Sequence, residues 1–114
     1  PEHADVVVVG GGVIGLAVAW QAAEAGLAVT VLDPEPGLGA THAAAGMLAP
    51  VTEATFVEED LARMGLASAA AWPEFAARLT EASGAAVTVE PSGTLVAAYD
   101  GDDLAVLRRL ADLH

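Results

Sequence analysis

The chain has 114 residues, 54% of them hydrophobic, with 16 acids against four arginines, no lysine and no cysteine, and a net charge of −12. Such a surface repels nucleic acid and anionic membranes, and the missing thiols exclude disulfides and thiolate metal sites. The length suits one small domain with a core, and the mean hydropathy of +0.52 is high for so short a soluble protein.

Val6-Val7-Val8-Val9 opens the pattern. Four β-branched residues in a row read as a strand buried on both faces, as in a parallel sheet. Gly10, Gly12 and Gly15 follow at G-x-G-x-x-G spacing, where strand turns into helix. The first allows a tight turn, the second lets the backbone approach a pyrophosphate, and the third lets the helix lie close on the sheet. The helix N-terminus offers unpaired N–H groups and a partial positive charge, which suits a diphosphate. Val13, Leu16, Ala17, Trp20, Ala23 and Ala25 predict an apolar helix face, with Gly26 as its C-cap. Val29 to Leu32 forms a second strand and ends in Asp33, roughly 20 residues after the glycines, where an acid that binds a ribose hydroxyl belongs. An acid there disfavours a 2′-phosphate and hence NADP. The plainer alternative is a βαβ unit that binds nothing, with Asp33 beginning a turn before Pro34.

Pro34 to Gly39 is a loop. Thr41-His42-Ala43-Ala44-Ala45-Gly46-Met47-Leu48 is small, apolar and nearly uncharged. Thr41 is expected to cap a short helix ended by Gly46. The segment is either a packed connector or a backbone lying close against a flat ligand. Ala49-Pro50 marks the boundary of a nucleotide-binding part.

From about Glu53 the pattern turns helical, with Leu61, Met64, Ser68, Ala71, Phe75 and Leu79 on one face and a stop at Gly84. Pro73 predicts a kink or a second helix. Glu59 with Arg63, and Glu74 with Arg78, are spaced as solvated i, i+4 pairs. Residues 87–90 and 94–99 predict a hairpin around Pro91-Ser92-Gly93. Asp100 to Asp103 supplies a turn and an N-cap for a last helix with Leu104, Leu107 and Ala111 facing inward.

Other chemistries lack their residues. His3, His42 and His114 are far apart and have no metal-ligand spacing. Asp100, Asp102 and Asp103 resemble part of a calcium loop, but position 111 is alanine rather than its glutamate. No serine stands in a nucleophile elbow. No metal and no catalytic side chain is therefore assigned, and any reaction falls to a bound cofactor. The run from Val6 to Trp20 is too short and too broken by glycine for a membrane span, and no basic segment precedes it, so a cytoplasmic protein is expected.

The stretches Val7 to Gly15 and Thr41 to Pro50, with Phe75 to Gly84 and Ser92 to Ala97, resemble the N-terminal part of the glycine oxidases of thiamine biosynthesis, in the D-amino-acid oxidase group of FAD-dependent amine oxidases. The glycine fingerprint is shared by many families; the Ala-Ala-Ala-Gly-Met-Leu segment is much more specific. The resemblance runs over nearly the whole chain but only the first part of family members, so the chain reads as the N-terminal portion of a longer protein. It implies an α/β fold: a Rossmann-like FAD-binding βαβ core over residues 1–50, then the start of a mixed α+β substrate domain over residues 51–114. It implies FAD as cofactor, with oxidation of glycine or another small amine to an imine and then an oxo acid, and oxygen reduced to hydrogen peroxide. By position, Gly10, Gly12, Val13, Ile14 and Gly15 hold the pyrophosphate, and Asp33 and Pro34 meet the adenosine end. Thr41, His42, Ala45, Gly46 and Met47 line the flavin or its diphosphate. Asp33 stands where flavin members often carry glutamate; either carboxylate accepts from a ribose. The family's substrate arginine lies beyond this chain, and Arg63, Arg78, Arg108 and Arg109 are poor replacements. The same pattern suits a relative acting on sarcosine, D-amino acids or a polyol phosphate, or a non-catalytic dinucleotide-binding module. Expected partners are the small amine and oxygen, with no nucleic acid and no membrane; homo-oligomerisation is left open.

Overall fold

The computed structural model describes residues 3–52 and 57–113, so the expected onset of helix near Glu53 and the terminal His114 lie outside the described residues. The chain divides into two compact units, Pro1–Met47 and Leu48–His114. No described helix is long and apolar enough to cross a membrane.

The first unit is a βαβ core. Strand β1 (Val6–Val9) runs parallel to β2 (Val29–Leu32), with Val6 opposite Val29 and Val9 opposite Leu32. The ladder extends beyond both ends, through Asp5 N–H to Ala28 O at 2.8 Å and Gly10 N–H to Leu32 O at 2.9 Å. Helix α1 (Val13–Glu24) makes the crossover and packs on both strands. It ends in a Schellman motif, with Gly26 N–H on Ala23 O at 2.9 Å and Leu27 N–H on Ala22 O at 3.2 Å. This motif needs a left-handed residue, and Gly26 supplies it at φ 85°. The helix face differs from the expected one. Ala19 is buried at 7% exposure, with Gly15 and Ala22 on the same side, whereas Val13 and Leu16 are exposed. Small residues win because the helix lies close to the strands. A Cβ at Gly15 would overlap the Gly10 carbonyl oxygen.

After β2 comes the short helix α2 (Ala40–Ala43). Its N-cap is Gly39 and its C-cap Ala44, so the helix ends before Gly46. Thr41 lies inside it rather than capping it.

In the second unit, α3 (Glu59–Ser83) is one continuous helix that contains Pro73. The expected break does not occur. Pro73 is exposed, where solvent can stand in for the donor it lacks. The less exposed face is Ala62, Gly65, Ala69, Trp72 and Ala76, one position on from the predicted stripe at its start; Leu61 and Met64 are exposed. Gly65 permits close passage of the chain, since a Cβ there would meet Pro50 at 3.1 Å. Trp72 and Phe75 stack with ring centroids 5.3 Å apart. Arg63 pairs with Asp60 rather than Glu59. Gly84 caps the helix, as expected.

Residues 87–99 do not form the predicted hairpin. They carry no strand, and Leu95 is fully exposed. A two-stranded ribbon without a covering layer is marginal in water, and β-branched residues alone do not supply one. Helix α4 (Gly101–Leu113) has its predicted cap: Asp100 Oδ1 accepts from Asp102 N–H and Asp103 N–H, both at 2.9 Å. Leu104 and Ala111 are exposed, and Leu107 and Leu110 are the more covered residues.

Candidate functional site

The glycine turn between β1 and α1 is the polar centre of the first unit. Gly10 leaves β1 at φ 105°, and Gly12 precedes α1 in an extended conformation. Two later residues return to this turn and engage its backbone.

The first is Asp33, at the end of β2. Its Oδ2 accepts the Gly11 N–H at 2.5 Å and its Oδ1 the Glu35 N–H at 2.7 Å. Gly37 N–H closes the loop on Gly11 O at 2.9 Å. The Gly11 amide, and then the Glu35 amide, hold the Asp33 carboxyl below the ordinary carboxylate range, because both stabilise the charged form. A carboxylate has about four acceptor positions, so each oxygen keeps room for a hydroxyl donor such as a ribose.

The second is Thr41. Its Oγ1 accepts the Val13 N–H at 2.9 Å, at the start of α1. The glycine turn, Asp33 and Thr41 thus come together around one helix end. Val13 and Ile14 are there too, with side chains 58% and 79% exposed. Pro34 and His42 are exposed beside the two anchors. Ala45, Gly46 and Met47 lead away as irregular exposed chain, Met47 at 73%.

Gly11 is absent from the residues singled out by the fingerprint, yet it is buried. A Cβ there would lie 3.0 Å from both Asp33 Cβ and Pro36 Cβ. The run of three glycines was its signal, since the fingerprint itself asks for only two of them. The Thr41–Val13 bond left no signal in spacing, because 28 residues separate the partners.

No arginine or lysine precedes Arg63 in the sequence. Within the first unit, positive potential at this helix end comes from backbone N–H groups and the α1 dipole.

The family of FAD dependent oxidoreductases, DAO, matches residues 5–114. The bifunctional ThiO/ThiG protein of Trichormus variabilis is 38% identical over 99 residues, covering 87% of this chain and 15% of that protein. The ThiO/ThiG protein of Synechocystis is 36% identical over 98 residues, covering 84% and 15%. A glycine oxidase of Bacillus licheniformis is 35% identical over 114 residues, covering 96% of this chain and 30% of the oxidase. The chain spans between 15% and 30% of the length of these curated relatives. With the family matched along residues 5–114 and its nucleotide-binding βαβ unit in place, this chain belongs to the FAD dependent oxidoreductases.

Proposed function

We propose that this chain provides the nucleotide end of the flavin site in an FAD-dependent amino-acid oxidase acting on glycine or a similarly small amine. The observation that carries the placement is the convergence of Asp33 and Thr41 on the glycine turn at the start of α1. The residues fit a nucleotide. Residues 10–12 place no side chain over the turn, and the Asp33 carboxylate keeps acceptor room for a ribose hydroxyl.

Gly10, Gly12, Val13, Ile14 and Gly15 would hold the diphosphate. Asp33 and Pro34 would meet the adenosine end, with the Asp33 carboxylate accepting from the ribose. Thr41, His42, Ala45, Gly46 and Met47 would line the flavin side. Bound FAD supplies a two-electron oxidation: a hydride equivalent leaves the amine's α-carbon, the imine hydrolyses to an oxo acid and ammonia, and oxygen takes the electrons as hydrogen peroxide. The chain's own residues bind and orient; none is assigned a proton transfer. Residues 1–50 would be the flavin-binding part and residues 51–114 the start of the substrate-binding part. The ThiO/ThiG and glycine oxidase relatives support glycine as the first substrate to try and thiamine biosynthesis as the setting.

The test is a visible spectrum of the complete protein, then anaerobic addition of glycine. Flavin bands that bleach with glycine, and peroxide formed when air is admitted, are expected. Bands that persist with glycine but bleach with sarcosine, a D-amino acid or a polyol phosphate would move the assignment to that substrate. A protein without flavin bands that cannot be loaded with FAD would sink the reading.

A further inference from the structure

Helix α1 begins without a cap of its own. Its N-cap residue is Gly12, which has no side chain, and its first turn carries no acid. The first helical amide, Val13 N–H, is one of the four that a helix leaves without an internal partner. Here it is bonded to Thr41 Oγ1 at 2.9 Å.

Gly12 itself adopts φ −77° and ψ 178°, a conformation open to any residue. Backbone strain therefore does not explain glycine at this position. A Cβ on Gly12 would meet one atom among the described residues, Thr41 Oγ1, at 3.0 Å. A separation that short is tighter than ordinary van der Waals contact, so the threonine would have to give way. The capping bond and the clearance at position 12 thus share one oxygen atom.

We propose that Thr41 caps α1 at its first amide, supplied from the second motif, and that this cap by itself disfavours a side chain at position 12 even in the ligand-free chain. Thr41 is then a positioning residue. It ties α2 and the alanine-rich segment to the helix end before any ligand arrives. A hydroxyl has one proton and two lone pairs, so accepting from Val13 leaves its proton to give. The cap converts a backbone N–H into an O–H donor that stands one bond further out.

The cap is tested on the complete protein freed of flavin, so the result does not depend on the flavin reading. T41V keeps the side-chain shape and removes the oxygen; T41S keeps the oxygen. T41V should speed amide exchange at Val13 about tenfold or more and lower Tm by about 2–8 °C, the range for a lost helix cap. T41S should leave both within error of the parent. G12A should lower Tm even without flavin, and most of that loss should vanish when T41A is added, because the two positions share one contact. Unchanged Val13 exchange in T41V would overturn the cap, and additive Tm losses in G12A/T41A would overturn its hold on position 12.

Discussion

In the first unit, three side chains reach backbone amides 22 to 28 residues away: Asp33 to Gly11, Asp5 to Ala28 and Thr41 to Val13. In the second unit, Thr80 bonds to Val87, Asp100 to Asp102 and Asp103, Asp103 to Tyr99, and Ser83 to Leu79, and the longest of these bonds spans seven residues. The cores do not account for this contrast. Among the described residues, one apolar side chain is buried in each unit, Ala19 at 7% and Ala76 at 4%. The first unit holds its turns in register by polar clasps across the sequence. The bonds just named in the second unit all stay within seven residues. A site that must place several backbone amides at once needs the first kind of bond. Each clasp adds little on its own, but losing one leaves an amide or carboxylate without its partner.

The sharpest way to break this contrast is one substitution made once in each unit. G15A puts a methyl into the Gly10 carbonyl, which is backbone and cannot move aside, so we expect a loss of about 3 kcal/mol or more, read as a collapse of the thermal transition. G65A meets Pro50 at 3.1 Å, and alanine's better helix propensity offsets that crowding by about 1 kcal/mol, so its melting should stay near the parent's. Equal losses from the two would erase the distinction.

G11A comes next. It presses on Asp33 and Pro36 together, and we expect about 1–3 kcal/mol of destabilisation with weakened flavin binding. Denaturant unfolding and flavin titration would read both, and an unaffected protein would show that loop 33–37 moves freely over the turn.

The Asp33 clasp has a pH signature. Its folded-state carboxyl lies below the ordinary value, with the Gly11 amide as the main cause. Its stabilisation is therefore fully present above the unfolded value of about 3.9 and is lost as pH falls through the lower folded one. Parent protein should lose stability across that acid window, and D33N should show a flatter dependence there while being less stable at neutral pH. Identical acid profiles would mean that the clasp contributes nothing.

The smallest effect belongs to the second unit. D100A removes the α4 cap and should cost about 1 kcal/mol, confined to hydrogen exchange in the first turn of α4. A loss of exchange protection in α1 or β2 would contradict the local character assigned to that unit.

What the sequence made legible follows the same division. Strand, turn, helix and strand over residues 6–32 could be read because β-branched runs and glycine spacing are local signals, and the caps at Gly26, Gly84 and Asp100 are local too. The hairpin at 87–99 was misread because strand propensity describes a surface to be covered, and no covering layer stands there among the described residues. Pro73 was over-read: α3 runs through it, at an exposed position where solvent can bond the carbonyl left without its donor. The expected faces of α1 and α3 mixed large and small residues, whereas the most covered side chains, Ala19 and Ala76, are small ones that permit close approach. Asp33 was placed correctly at the end of β2, but its grip on Gly11 needed the fold. Thr41 was assigned to the short helix after it, and caps instead the helix 28 residues before it.

The first 62 residues hold neither arginine nor lysine, within a chain of net charge −12. On the proposed placement, these 62 residues supply no cationic side chain to draw the nucleotide in. Retention then rests on short, directional contacts that act only once the geometry is met. Bystander polyanions gain nothing from such a mouth, which would suit a resident group held by geometry better than a ligand gathered by charge.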